Sequence, residues 1–380
     1  MKKNIRVGIT QGDYNGVGYE VIVKALADEK ITELFTPVVF GSHKLFDKAV
    51  REFCEEFPAV EYIKNPLYVK EGKVNVIDLH RGDIHLTPGL PSEESGVAAV
   101  AALEAAVRAI KEGLIDVMVT APICKTAVQS DAFRFPGHTE YLEDRSNPQP
   151  EAGEDDSAGE EMEGERFKAQ MILCDDMLRV ALVTTHLPVS DIPAAITKEK
   201  VEESIERFDR VLRSDFGFER PKIAVMSLNP HCGDNGLLGN EEGDKIVPAI
   251  EATQEKGILA FGPYAIDGFF SSGSYRHFDG ILAMYHDQGL APFKALAGEH
   301  GVNFTAGLPF VRTSPDHGTA FDIAWKGEAD PTSMREAIYK AIDLRRNRER
   351  YRRASANPLR KARIERGGQD KTVDLTKETL

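Results

Sequence analysis

The stretch SGVAAVAALEAAVRAIKEG at residues 95–113, followed directly by LIDVMVTAP at 114–122, decides the fold class. Its first part is rich in alanine, carries apolar residues at helical spacing, and has a serine at the start and a glycine at the end, so it predicts a buried helix. IDVMVTAP is a near-continuous apolar run, the pattern of a strand buried on both faces. A buried helix feeding such a strand is the unit of an α/β sheet. Sheets of this class bind ligands beyond the C-terminal ends of their strands, which makes Lys125, just past this one, a site candidate.

Toward the N-terminus the unit recurs. Ile5 to Thr10 alternates like a strand and runs into QGDYNGVGYEVIVKAL, where glycines precede a helical pattern. Such a turn leaves free N–H groups at a helix start, suited to an anion or, equally, to a tight structural turn. Its order, GxxxGxG, is not the dinucleotide fingerprint. Thr36 to Gly41 reads as a second strand and Ser42 to Phe57 as a helix.

Toward the C-terminus, His138 and Thr139 follow Pro136 and Gly137 at an expected helix start, where a histidine beside a hydroxyl suits a phosphate or carboxylate. After Asn147 the composition changes. PEAGEDDSAGEEMEGER holds eight acidic residues and one arginine without apolar periodicity, and reads as a mobile acidic insert at about 148–166. AQMILCDDMLRVALVTTHLPV then predicts two strands joined by a tight turn, with His186 just beyond the second. PKIAVMSLNPHCGDNG and DGILAMYHD predict strands ending at His231 and His286. In a parallel sheet these three ends share an edge, so the imidazoles can converge on one metal ion and leave positions open for substrate. Residues 283–327 concentrate further polar groups, among them Asp287, Lys294, Asn303, Arg312, Asp316, His317 and Asp322. Arginine as a planar fork, lysine as a point charge and a histidine together suit a small phosphorylated acid.

Composition narrows the function classes. The chain has 380 residues, 42% hydrophobic and 28% charged, enough for two domains of an ordinary globular protein. A net charge of -14 argues against nucleic acid as a partner. No apolar run approaches a membrane span, and the start lacks a signal-peptide core, so a cytoplasmic location is expected. Cys54, Cys124, Cys174 and Cys232 form no CxxC pair and signal neither a disulfide framework nor a zinc knuckle.

Five motifs carry a family resemblance: GHTE at 137–140, TTHLP at 184–188, LNPHCGD at 228–234, YHDQGLAPFK at 285–294 and GLPFVRTSPDHGTAFDIA at 307–324. In this order they resemble the 4-hydroxythreonine-4-phosphate dehydrogenase family of pyridoxal phosphate biosynthesis. The resemblance implies an isocitrate/isopropylmalate dehydrogenase-like α/β fold of two domains with a cleft between them, residues 1–135 with 300–344 forming one and 136–299 the other. It implies a homodimer, NAD (NADP being the alternative), and a divalent metal such as zinc, magnesium or cobalt. His186, His231 and His286 look like the metal ligands, one supplied by the partner subunit, with Asp287 beside them in the catalytic set. His138, Thr139, Lys294, Asn303 and Arg312 look like substrate contacts, joined by Lys125. Asp316, His317, Gly318, Thr319 and Asp322 resemble the cofactor loop of isopropylmalate dehydrogenases, which places NAD there.

The chain departs from the family in two respects. Tyr14 and Tyr19 stand where the first loop usually has prolines, although the glycines and Glu20 are kept. The acidic insert and a basic C-terminal extension, 345–380, look like additions, the latter a solvated helix. The implied reaction is oxidation of 4-phosphooxy-L-threonine, with decarboxylation of the β-keto acid product to 3-amino-2-oxopropyl phosphate. Alternative readings are a dehydrogenase of threonate or erythronate 4-phosphate and, on related architecture, a phosphate acyltransferase.

Overall fold

The computed structural model describes residues 4–80, 82–131, 133–148 and 166–358. Most of the acidic insert and the residues after 358 thus lie outside the described residues. Among the described residues twelve strands form one sheet: β1 Arg6–Thr10, β2 Thr36–Gly41, β3 Val60–Ile63, β4 Val74–Asp78, β5 Val117–Thr120, β6 Gln170–Cys174, β7 Arg179–Leu182, β8 Lys222–Met226, β9 Leu259–Tyr264, β10 Gly280–Ala283, β11 Val302–Ala306 and β12 Arg312–Pro315. Their spatial order is β3-β4-β2-β1-β5-β12-β11-β6-β7-β10-β8-β9. The helix–strand alternation expected from residues 95–122 is therefore present, and the fold is α/β.

The sheet is not parallel throughout. β5 and β12 are parallel, but β12–β11, β11–β6 and β6–β7 are antiparallel pairs, whereas β7, β10, β8 and β9 run alike. Three reversals make β5 antiparallel to β7. The C-terminal ends of β7, β8 and β10, which lead to the three histidines, therefore share one edge of the sheet, and the C-terminal end of β5, which leads to Lys125, points to the opposite edge.

Side chains alternate across the pleat, and this alternation produces the cleft. On one face, Val117 and Val119 of β5, Val311 just before β12, Val302 and Phe304 of β11 and Ile172 of β6 join one continuous apolar cluster. The opposite face carries two separate clusters, one around Phe40, Met118 and Leu103, the other around Leu173, Leu182, Ala283 and Phe293. Between these lie Asn303, Thr305, Arg312 and Ser314, the inward residues of β11 and β12. The polar floor of the cleft is thus the gap between two apolar cores.

The helix before β5 spans Glu93–Lys111 and starts two residues earlier than the sequence reading, because Ser92 caps it by accepting the Ser95 N–H at 3.1 Å. Gly96 is required within it: a Cβ there would lie 1.9 Å from the Ala127 carbonyl, so the helix presses directly on the loop that carries Lys125. The helix expected over 42–57 runs His43–Phe53 with Ser42 as its cap, and stops where Cys54 turns extended. Tyr14 and Tyr19 are both buried. The Tyr19 hydroxyl donates to Gln11 at 2.5 Å and accepts the Ser42 N–H at 2.6 Å, so the ring that replaces a proline ties the first loop to β2.

The last described helix, Thr332–Ser355, begins against β12 and extends past residue 345 without a break. The expectation of a solvated helix from Arg345 onward fails at Arg348. Its buried guanidinium meets the Asp215 carboxylate at 2.8 and 2.6 Å, docking this stretch onto the helix Lys198–Ser214. Among the described residues, no helix is long and apolar enough to cross a membrane.

Candidate active site

The cleft encloses about 320 Å³ and is lined by Lys125, His138, Thr139, His186, His286, Lys294, Asn303, Arg312, Asp316, His317 and Gly318. Residues from seven separate segments of the chain meet there. His231, Asp287, Thr319 and Asp322 do not line it.

Arg312 occupies the floor and is 2% exposed. Its Nε and Nη2 donate to the Thr120 hydroxyl at 3.1 and 2.5 Å, and its Nη1 to the Thr305 hydroxyl at 2.8 Å. Among the described residues, no carboxylate pairs with it. Burial accordingly lowers its pKa to about 9. His138 stands at the start of the helix His138–Ser146, and its Nε2 is covered yet has no hydrogen-bond partner. Burial, reinforced by the charges of Arg312 and Lys125, holds its pKa well below the ordinary histidine value, so the ring is neutral at pH 7. Asn303 Oδ1 is another covered polar atom without a partner. A neutral imidazole, an amide and an uncompensated guanidinium around one space form a receptor for a small anion.

His186 and His286 face each other with ring centroids 5.8 Å apart. Each has its Nδ1 toward a carboxylate: His186 toward Glu140 at 3.6 Å, His286 toward Asp287 at 2.7 Å. Such pairing fixes the ring and leaves Nε2 as the nitrogen free to bind a cation. Contact with His186 in turn holds the Glu140 carboxyl below its usual range. Gln288 is buried behind the pair, accepting the Met284 N–H at 2.7 Å and donating to the Ser227 carbonyl at 2.6 Å, which ties the end of β10 to that of β8.

His231 lies elsewhere. It is exposed, on a turn where His231, Cys232 and Asp234 all have positive φ. Buried Glu242 braces the base of this turn by accepting the N–H groups of Leu228 and Asn229 at 2.8 and 2.7 Å. Among the described residues, no three His, Cys, Asp or Glu side chains gather as a metal site. The convergence of three imidazoles expected from the strand ends thus does not occur within one chain; two meet and the third points outward.

Asp316 and His317 divide the cleft from a second cavity of about 270 Å³, whose walls include Val17, Val21, Ala320, Ile323 and Asp330. Lys294 binds Asp316 through both its carboxylate and its carbonyl, each at 3.1 Å, and burial raises the Asp316 carboxyl pKa. The glycine turn of the first loop proves to be structural: the Thr319 carbonyl accepts the Val17 N–H at 3.0 Å, and a Cβ on Gly16 would lie 2.7 Å from that oxygen. Thr319 therefore anchors the 316–325 segment through its backbone, while Asp322 is exposed.

Sequence reasoning missed Thr120, Thr305, Glu140 and Glu242, and noted Gln288 only as one polar residue of the 283–327 stretch. Glu140 alone had a local signal, as the last residue of GHTE; the others act through partners between 4 and 192 residues away.

Comparison with known proteins identifies the family. A 4-hydroxythreonine-4-phosphate dehydrogenase from Bacteroides thetaiotaomicron is 52% identical over 369 residues, covering 96% of each chain. A relative from Oceanobacillus iheyensis, named provisionally as a D-threonate 4-phosphate dehydrogenase, is 39% identical over 90% of this chain and 99% of its own. The crystal structure of the 4-hydroxythreonine-4-phosphate dehydrogenase from Klebsiella pneumoniae superposes with a TM-score of 0.75 at 33% identity, covering 91% of this chain and 99% of that one. The family model for pyridoxal phosphate biosynthetic protein PdxA matches residues 33–341, a span that takes in every side chain of the cleft, and the chain belongs to that family.

Proposed function

We propose that the chain oxidises the C3 hydroxyl of 4-phosphooxy-L-threonine with NAD, giving NADH, a proton and 2-amino-3-oxo-4-phosphooxybutanoate. This β-keto acid loses CO2 to give 3-amino-2-oxopropyl phosphate, a precursor of pyridoxal phosphate. The observation that carries this reading is the buried, carboxylate-free Arg312 sharing one cleft with the His186–His286 pair. Arg312, His138, Thr139, Asn303, Lys294 and Lys125 hold the ionised groups of the substrate, and the polar gap between the two apolar clusters is the cleft between lobes 1–135 with 300–344 and 136–299.

His186 and His286 hold a divalent cation through Nε2, with Glu140 and Asp287 orienting the rings; imidazole donors suit zinc or cobalt better than magnesium. The third nitrogen is His231 of a second copy of the chain, which its exposure on a braced turn makes available, so the working unit is a homodimer. When bound, the cation eases loss of the hydroxyl proton and the nicotinamide accepts hydride. Asp316, His317 and Gly318, between the cleft and the second cavity, would hold the cofactor. Among the described residues that line that cavity the charged ones are Glu299, Asp316, which Lys294 pairs, and Asp330, with no lysine or arginine, which suits ribose hydroxyls better than the extra phosphate of NADP. A cytoplasmic location accompanies this role.

The test is NADH formation, followed by absorbance, with 4-phosphooxy-L-threonine and with threonate and erythronate 4-phosphates. The amino acid should be preferred at least about tenfold in kcat/KM, the scale of one lost charge-assisted hydrogen bond. The reverse preference would reassign the enzyme to sugar acids.

A further inference from the structure

We infer that Thr120 and Thr305 are positioning residues that hold Arg312 through neutral hydroxyls, so that a substrate oxyanion is left to balance its charge. The inference rests on the reading of Arg312 as an anion ligand and extends it to two residues on the flanking strands.

Strand register puts the two hydroxyls where they are needed. Thr305 is the direct cross-strand partner of Arg312 on β11. On β5, Arg312 pairs with Met118, and Thr120 lies two residues further on, hence on the same face. A guanidinium has five N–H donors. Thr120 accepts one from Nε and one from Nη2, and Thr305 accepts one from Nη1. One N–H therefore remains on each terminal nitrogen, the pair that meets two oxygens of an anion side by side.

Arg348 provides an internal comparison. It is also buried, but its Nε and Nη2 edge meets the Asp215 carboxylate, so its charge is neutralised within the fold. The same edge of Arg312 meets the Thr120 hydroxyl. A carboxylate at either threonine position would satisfy the same donors and also cancel the charge, and the affinity for an anion would go with it. The neutral hydroxyl keeps geometry and charge separate: it fixes the fork without an ion pair and leaves only the unbonded carboxylate of Glu140 to offset the charge from a distance.

The test compares Thr120→Val, Thr120→Ser, Thr305→Val and Thr305→Ser in the full-length enzyme with metal and saturating NAD. Substrates are 4-phosphooxy-threonine and its dephosphorylated analogue, and thermal unfolding is recorded with and without inorganic phosphate. Thr120→Val should raise the KM of the phosphorylated substrate about ten- to a hundredfold, with kcat changed only a few fold, and should abolish stabilisation by phosphate. Thr305→Val, which removes one hydrogen bond to Arg312 rather than two, should show a smaller rise. The serine variants should recover to within a few fold of wild type, which loss of mere packing would not allow. A KM effect confined to the phosphorylated substrate assigns the oxyanion as phosphate; an equal effect on both substrates assigns it as the carboxylate, and either supports the inference. Valine variants with wild-type KM, or folded serine variants as defective as valine, would overturn it. If Thr120→Val does not fold, the Thr305 pair and Thr120→Ser still decide. An unchanged KM in Arg312→Lys would instead remove the anion role of Arg312 itself, and this inference with it.

Discussion

Mixing two inactive variants should restore activity if His231 works across a dimer interface. His231→Ala removes the exposed imidazole and leaves His186 and His286 in their cleft, with ring centroids 5.8 Å apart, whereas His186→Ala does the converse. Each homodimer then lacks one nitrogen ligand at both sites and should lose nearly all turnover. In a mixed dimer, the cleft of the His231→Ala subunit keeps its own two histidines and receives an intact His231 from the other subunit. The second cleft lacks both His186 and an incoming His231. One site of two is therefore complete, and random exchange in equal amounts makes half of the dimers mixed, so the mixture should reach about a quarter of wild-type specific activity, as two-fold symmetry requires. Dimers carrying two different tags, purified on both, should reach about half on the same argument. The assay is NADH formation after exchange by co-expression or mild denaturation, with tag co-purification as proof of exchange. Doubly tagged dimers no more active than their parents would refute the assignment of His231 to the neighbouring cleft.

Other expectations follow from single side chains. Arg312→Lys should raise the KM of the phosphorylated substrate about tenfold to a hundredfold while leaving that of NAD nearly unchanged, since an ammonium cannot reproduce two parallel bonds; kinetics with each substrate varied in turn checks this. Burial lowers the His138 pKa in the folded state, so on acidification below the ordinary histidine pKa the unfolded chain takes up a proton that the folded one refuses. Stability is then lost as pH falls from about 6.5, by at most about 1.4 kcal/mol per pH unit for one group, and none of this loss is present above that pH. Denaturant midpoints between pH 7 and 5 should fall less in His138→Gln than in wild type. Arg348→Ala should cost roughly 3–5 kcal/mol by stranding the buried Asp215 carboxylate, measurable by chemical denaturation with NADH formation unchanged in the folded enzyme.

The parts of the site legible in the sequence were those with local signals. Apolar runs announced β5, β7, β8 and β10, and the histidines just beyond three of them could be picked out by position. β12 gave no such signal: Arg312–Pro315 reads RTSP, which resembles a loop, and it is a strand only because β5 and β11 pair with it on both sides. With β12 hidden, the reversal between β5 and β7 was hidden too, and with it the true layout of the cleft, a floor on one sheet face between two cores. The resemblance implied that one histidine comes from a partner subunit, but that it is His231 was not legible, because strand ends on one edge fix a level along the sheet but not the direction of the turn that follows. Arg348 was misread because a run of arginines looks solvated, and its one buried member is distinguished only by Asp215, 133 residues earlier.

The position of β12 has a consequence during synthesis. β5 is complete at Thr120, yet its neighbour on the far side is made 192 residues later. At roughly 5–20 residues per second, a nascent chain carries that open edge for on the order of ten to forty seconds. An unpaired, apolar edge strand is a template for pairing with other chains, and many ribosomes on one message hold such edges close together. The strand that brings Arg312 to the cleft also closes this edge. A messenger truncated before codon 312 should therefore yield a product that is both inactive and prone to aggregate, and the yield of soluble enzyme should depend on how quickly the 192 residues from Thr120 to Arg312 are translated.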